Sequence, residues 1–499
     1  MDLQIIVSSF VDLVSSAYLW VLMLIAVAVG MFFGAVPGLG GKLAIALAIP
    51  FVFGMDTVPG VVFLLAMHSV VHTGGSIPSI LFGVPGTGPD AATIVDGLPM
   101  TQKGEAGRAL GASLGASGVG GVIGALFLAA LIPVLEPVVL SFSPAEFFLL
   151  AILGITFIAL LSGNSLLKGV IVGFFGLMLA FVGMDPQVGI TRYTFGQLFL
   201  WDGVDIITAI LALFAIPEMI ALGVKGGSMS GVSLKAAQYS TRDIISGIGD
   251  VFRHWGLTIR TSIIGAAIGV IPGLGGDAAS WICYGHAVQS SKTPERFGKG
   301  AVEGVIAPET ANNSKEGGAL LPTVFFGVPG SSGMAVMLGA FIILGIQPGP
   351  LMMVNHLDLV WTMIWALVVA NLVAVVMFLG IARWVGLLSF VRGGLLIPFV
   401  LVLALLGSYL SRGQWENMLI ILLLGLLGYG LKRFKWPRPP FVIGLVLGPI
   451  AEDSLHKALA LWGPSFLLRP ISMILVAIIL GTLIFSFLRH NSRRLVDVD

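Results

Sequence analysis

The amino-acid sequence predicts an all-α polytopic membrane protein made of two structural repeats, expected to be of inverted topology. Three observations carry this. Hydrophobic residues make up 57% of the 499-residue chain and charged residues only 10%, and mean hydropathy is +1.02, whereas soluble domains carry about 25% charge. The apolar segments are continuous rather than alternating, which excludes a β-barrel; those at 17–35, 204–223 and 471–488 are long enough, or nearly so, to cross a hydrocarbon core about 30 Å thick. Two pentapeptides recur unchanged and in the same order.

Residues 1–16 set Leu3, Ile6, Phe10, Val11 and Val14 near one helical face, with Gln4, Ser8 and Asp12 off it. That is the pattern of an interfacial N-terminal helix ahead of the first span. The first basic residue is Lys42, so the basic region of a cleaved signal peptide is not seen. Residues 17–223 form the first repeat half, 224–256 a basic loop with Lys225, Lys235, Arg242 and Arg253, and 257–450 the second half. Residues 451–499 hold the final spans and a tail with Arg489, Arg493 and Arg494. The stretch 432–438 (KRFKWPR) has four basic residues and no acid. The positive-inside rule puts loop, stretch and tail on the cytoplasmic side. Roughly ten to thirteen hydrophobic segments are expected, including broken helices and re-entrant hairpins. The single cysteine, Cys283, excludes an internal disulfide, and a net charge of +1 gives no basis for a nucleic-acid partner. The partner that the composition does demand is the lipid bilayer.

The repeat is read from the breaks. Pro37-Gly38-Leu39-Gly40-Gly41 recurs as Pro272-Gly273-Leu274-Gly275-Gly276, and Phe82-Gly83-Val84-Pro85-Gly86 as Phe326-Gly327-Val328-Pro329-Gly330. The offsets are 235 and 244 residues. One Pro-Gly in a membrane helix is commonly a kink. Four of them, paired by the repeat and flanked by small polar residues, suggest a substrate or ion site, because free backbone groups at membrane depth are tolerated only in protein or along a watery cavity. Each PGLGG precedes an apolar helical run (43–53, 278–288), placing Gly-rich N–H groups at a helix start, an anion cradle. Each FGVPG reads as the turn of a re-entrant hairpin, with Thr87 or Ser331 and Ser332 supplying hydroxyls.

The copies differ where it is informative. Lys42 follows the first PGLGG and opposes the helix dipole, so it either holds an anion or snorkels to the interface. Asp277 follows the second, as a helix cap or a cation ligand. In 303–318, Glu309, Thr310, Asn312 and Asn313 offer oxygens and amides suited to Na⁺ or to carboxylates, unless the stretch is an ordinary polar loop. Asp90, Asp96, Lys103, Glu105 and Arg108 read as a solvated loop with local ion pairs. His68 and His72 share a helical face, too few for a metal pair, and are packed or proton-relaying. Phosphate-binding and H-E-x-x-H motifs are absent and no G-x-S-x-G stands in a strand–helix setting, so no enzyme is indicated and no cofactor is called for beyond a coupling ion. A channel or stand-alone permease is the second reading. A membrane-embedded enzyme built on Glu309, His286 and Asp277 is the third.

The stretches VPGLGGKLAIALAIPF (36–51), GGSIPSILFGVPGTGPDAATIVDGLPM (74–100), IPGLGGDAASWICYG (271–285), FGKGAVEGVIAPETANN (297–313) and GGALLPTVFFGVPGSSGMAVMLGAFIILGIQPGP (317–350) strongly resemble the large membrane subunit of the tripartite tricarboxylate transporters. The resemblance runs over both halves to about residue 450. It implies a bacterial inner-membrane secondary transporter that works with a small four-span membrane subunit and a periplasmic solute-binding protein. Such proteins import di- or tricarboxylates with Na⁺ or H⁺. Carried onto this chain, both PGLGG copies, both FGVPG turns, Asn312 and Asn313 line the substrate and cation sites. The resulting expectation is that substrate meets Pro37, Gly38, Gly40, Gly41, Lys42, Pro272, Gly273, Gly275, Gly276, Asn312 and Asn313. The cation meets Pro85, Gly86, Thr87, Asp277, Glu309, Pro329, Gly330, Ser331 and Ser332. Lys315 and Glu316 stand where family members tend to have small residues, and Leu98 where Tyr is common.

Overall fold

A computed structural model describes residues 3–161, 166–185, 187–272 without 226–238, 274–388 and 393–496. Among the described residues, the regular structure is helical apart from a two-residue antiparallel pairing of Gly183–Met184 with Thr191–Arg192. Among the described residues, five helices are long and apolar enough to cross a membrane, six when a helix pair bent by 67° at Pro470 is taken as one span. Seven shorter apolar helices stand beside them, some cut short by the Pro-Gly breaks, in keeping with the ten to thirteen hydrophobic segments expected.

One order of elements occurs twice. In the first half it runs α1 (Leu3–Ser15), α2 (Ala17–Ala35), the PGLGG break, α3 (Gly40–Val52), α4 (Thr57–Phe82), the FGVPG break, α5 (Ala91–Gln102) and α6 (Ala106–Leu140). After α7 (Pro144–Leu161), α8 (Leu166–Ala180) and α9 (Ile206–Lys225), the second half repeats it: α10 (Thr241–Arg253), α11 (Trp255–Val270), PGLGG, α12 (Gly275–Ser290), α13 (Glu303–Phe326), FGVPG and α14 (Ser332–Ile343). One turn, α15 (Leu351–Asn355), leads to α16 (Leu357–Leu388). The chain closes with α17 (Gly393–Leu410), α18 (Glu416–Arg433), α19 (Pro439–Trp462) and α20 (Pro470–Val496).

The order follows from local chemistry. α4 and α13 end where Gly83 and Gly327 adopt the left-handed conformation, φ 67° and 65°, and each terminates its helix one turn after an internal proline. The packing repeats with the same register. A Cβ on Gly34 would lie 1.9 Å from the Val71 carbonyl oxygen and 2.7 Å from the Gly75 nitrogen; one on Gly269 would lie 2.3 Å from the Lys315 carbonyl and 2.9 Å from the Ala319 nitrogen. The step from 34 to 269 is the offset of the PGLGG copies, and those from 71 to 315 and 75 to 319 are the offset of the FGVPG copies. Small residues let α2 approach α4, and α11 approach α13, to backbone contact.

The interfacial helix has a counterpart. α1 buries Ser9 and Leu13 and leaves Leu3, Val7 and Val11 exposed; it is tied to α16 by the Trp365 indole donating to the Ile6 carbonyl at 3.1 Å. The segment 224–256, read as a loop, contains α10. Ser240 and Asp243 close a capping box at its start, and Arg108 Nε donates to Asp250 at 2.6 Å to bind it to α6. Residues 226–238, with Lys235, lie outside the described residues. Asp90 and Asp96, read as solvated, are fully buried, because α5 packs between α4 and α13. Asp96 accepts there from the Gly300 and Ala301 amides and from Tyr284.

Candidate functional site

Both PGLGG breaks, the first FGVPG break and the residues just after the second frame one cavity of about 890 Å³. Gly38, Gly40, Gly41 and Lys42 line it from the first half, and Gly275, Gly276 and Asp277 from the second. Left-handed backbone at Gly38 (φ 90°), Gly40 (67°) and Gly275 (64°) turns the chain into α3 and α12. Leu39 and Leu274 occupy the N-cap positions and make no side-chain cap bond, so the first-turn N–H groups of both helices lack a capping oxygen where they meet the cavity. Asp277 is therefore not the cap; it sits in the first turn of α12 and faces the cavity.

The tips of the two hairpins cross to the opposite half. A Cβ on Gly88 would lie 2.4 Å from Asp277 Oδ1, and one on Gly276 would lie 2.7 Å from Pro89. Reciprocally, a Cβ on Gly333 would lie 2.7 Å from His68 Cε1. Thr87, Pro85 and Gly86 line the cavity, as do Ser331 and Ser332. Thr87 Oγ1 donates to Asp90 at 2.6 Å, and Ser331 caps α14 by accepting from the Met334 amide at 3.2 Å. Pro37, Pro272, Pro329 and Gly330 do not reach the lining; the Gly330 amide instead donates to Thr323 at 3.2 Å. Gly273 lies outside the described residues.

The walls favour anions. Five basic residues (Lys42, Lys315, Lys432, Lys435, Arg438) line the cavity against two acidic ones (Glu218, Asp277). Glu218 is held by Lys432 and by Arg438 Nη2 at 2.8 Å, while Arg438 Nη1 donates to the Leu213 carbonyl at 2.8 Å. The stretch 432–438, read only for topology, thus builds one wall. Lys42 is among the residues that line it.

At the floor, the segment 303–318 is neither a loop nor solvated. It is the buried first two-thirds of α13, and most of its polar side chains find their partners on neighbouring elements. Thr310 bonds Thr261 at 2.6 Å, and Asn313 Nδ2 reaches the Ser69 carbonyl (3.2 Å), Thr73 Oγ1 (3.1 Å) and Asn371 Oδ1 (2.8 Å). Glu316 accepts from Lys315 and lies 3.1 Å from His72 Nε2 and 3.4 Å from His68 Nε2. Asn312 Nδ2 donates to Asp90 Oδ1 at 3.1 Å. Glu309 is deeper, accepting from Thr93 (2.5 Å) and Ser117 (3.1 Å), and neither it nor Asn312 and Asn313 line the cavity. The Oδ1 atoms of Asn312 and Asn313 are buried without a hydrogen bond. These oxygens suit a hard cation such as Na⁺ by type.

The arrangement defines a multi-pass helical membrane protein with a polar, basic cavity walled by broken helices from both halves. The family profile described as "Tripartite tricarboxylate transporter TctA family" matches residues 20–443. An uncharacterized 52.8 kDa protein of the TAR-I ttuC' 3' region of Agrobacterium vitis is 32% identical over 469 residues, 93% of this chain and 92% of its own length. An uncharacterized protein of the TAR-II ttuC' 3' region of the same organism is 36% identical over 196 residues, 39% of this chain and 81% of its own. No solved structure matches the chain. The chain belongs to the tripartite tricarboxylate transporter TctA family, the large membrane component of a tripartite system, and so works with partner components.

Proposed function

We propose that the chain takes up small di- or tricarboxylates across the bacterial inner membrane. It receives them from a periplasmic binding protein, works beside a small four-span subunit, and is driven by a Na⁺ or H⁺ gradient. The observation that carries this reading is the convergence of both PGLGG breaks, the first FGVPG break and the residues just after the second on one cavity with a basic excess. Substrate carboxylates are held by the first-turn N–H groups of α3 and α12 with Lys42 and Lys315 beside them. The coupling cation is held behind them, among Glu309, Asn312, Thr87 and Asp277. The reciprocal contacts of the hairpin tips support an inverted pair of halves that rock against one another about this site.

Uptake of labelled citrate into proteoliposomes carrying the chain, its membrane partner and the binding protein tests this. Accumulation is expected only with an imposed Na⁺ or proton gradient. Gly40→Leu, which forces a branched side chain onto left-handed backbone, and Asn312→Ala, which strips Asp90 of a donor, should each lower uptake ~tenfold or more. Undiminished uptake in both would defeat the site assignment, and gradient-independent flux would make the protein a channel.

A further inference from the structure

Helix α18 ends by wrapping back on itself. The Trp436 amide donates to the Leu431 carbonyl at 2.7 Å and the Lys435 amide to the Lys432 carbonyl at 3.2 Å, around the C-cap residue Phe434. That pair of bonds needs left-handed backbone at the residue after the cap, a position that glycine usually fills. Here it is a lysine, with φ 56°. An L side chain on left-handed backbone carries a steric cost that glycine escapes. The helix end does not need the charge, because Lys432 and Arg433 already stand in the last turn, where a cation complements the dipole.

The surroundings of Lys435 give it a use. It is exposed and lines the cavity. The cations around it are engaged: Lys432 and Arg438 share Glu218, and Arg438 also donates to the Leu213 carbonyl. Lys168 donates to the Phe434 carbonyl at 3.3 Å, its ammonium 5.6 Å from the centre of the Trp436 ring. Among the described residues, the Lys435 ammonium has no hydrogen bond or ion pair. Side-chain exposure rises from Lys315 (4%) through Arg438 (15%) to Lys432 (32%), and Lys435 lies beyond them on the open side. Arg433, the remaining basic residue of the stretch, does not line the cavity.

We propose that Lys435 is a carboxylate-binding residue at the mouth of the cavity, holding one carboxylate of the substrate as it passes between solution and the cradles. This rests on the proposed carboxylate site and adds a residue outside both repeated motifs. A basic residue kept only to set topology would serve equally well at a neighbouring position with ordinary backbone. A free ammonium on the cavity wall offers what glycine cannot, attraction for an anion, and backbone strain of this kind gathers where a side chain has work to do. The attraction grows with the charge of the acid and is screened by salt.

Thermal unfolding and isothermal titration of the full chain in zwitterionic nanodiscs, with citrate, tartrate, malate and succinate, test this together. Lys435→Gly relieves the backbone and should melt at or about 1 °C above the native chain, yet bind citrate ~three- to tenfold more weakly. Lys435→Asn, which tolerates the left-handed conformation without the charge, should lose as much affinity, and Lys435→Arg should keep most of it. The loss should be smaller for succinate than for citrate and should shrink as ionic strength rises. Arg433→Gln removes the same charge from the same helix end, off the cavity, and should bind as the native chain does. Native citrate affinity in the folded Gly and Asn variants would overturn the proposal and leave the carboxylate site standing. An equal loss in Arg433→Gln would overturn it too, since the effect would then be diffuse surface charge. If none of the four acids binds the folded native chain, the carboxylate reading falls, and this inference with it.

Discussion

Asn313 donates to the Ser69 carbonyl at 3.2 Å, and the two residues are 244 positions apart, the spacing of the two FGVPG motifs. His72 and Glu316, in contact at 3.1 Å, have the same separation. Residues at matching positions of the two motif copies thus touch one another, and α4 meets α13 there. Asn313 supplies that contact with its amide donors. Asn313→Ala leaves the Ser69 carbonyl short of a donor and should cost ~1–3 kcal/mol. Asn313→Asp should cost more, since a carboxylate would face the Ser69 carbonyl and the Asn371 oxygen. Thermal unfolding in detergent, ranked native, Ala, Asp, checks the order.

The close approach of α2 to α4 and of α11 to α13 predicts a matched pair of packing defects. Gly34→Ala and Gly269→Ala each push a methyl onto a backbone carbonyl that has no room to retreat, and each should lose ~1–3 kcal/mol. Gly285→Ala, in α12 with open space around its Cβ position, should be neutral or stabilising by up to ~1 kcal/mol through helix propensity. The same unfolding assay separates the two outcomes.

At the start of the second half, His254 Nε2 lies 3.4 Å from Glu303 and joins the end of α10 to the first turn of α13. The Glu303 hydrogen bond holds His254 above the ordinary 6.5. A raised imidazole contributes stability that is complete below that ordinary value and is lost as pH rises through the folded-state value. The melting-temperature gap between native chain and His254→Gln should therefore be widest at mildly acidic pH and close on the alkaline side. A gap that widens with pH would contradict the pairing.

Sequence reasoning reached the breaks, their pairing and the cradles because glycine and proline act locally: they end helices wherever they stand. It missed most of the floor and one wall. Glu316 looked like a departure, and His68 and His72 like a pair with too few ligands, because the carboxylate and the imidazoles meet from two helices more than two hundred residues apart; Lys315 looked like a departure because the start of α12 that it reaches lies on another helix. The repeat register held the signal, since shifting His72 by the FGVPG offset lands on Glu316. α13 reads as polar and so as a loop, yet it is buried, because its Asn, Thr and Ser groups pair across α11, α4 and α16 where hydropathy cannot count them. The basic stretch 432–438 carried a topological signal that hid its part in the cavity wall.

The account turns on two uncapped helix starts sharing one anion. Citrate affinity of the folded chain, measured in parallel for native, Gly41→Leu and Gly276→Leu, tests this most directly. Each leucine would drive a side chain from one cradle into the cavity, against His68 in one case and against Lys315 and Asn312 in the other. The account predicts that either change alone weakens binding at least ~tenfold, as losing one of two carboxylate contacts should. Native affinity in both folded variants would contradict it.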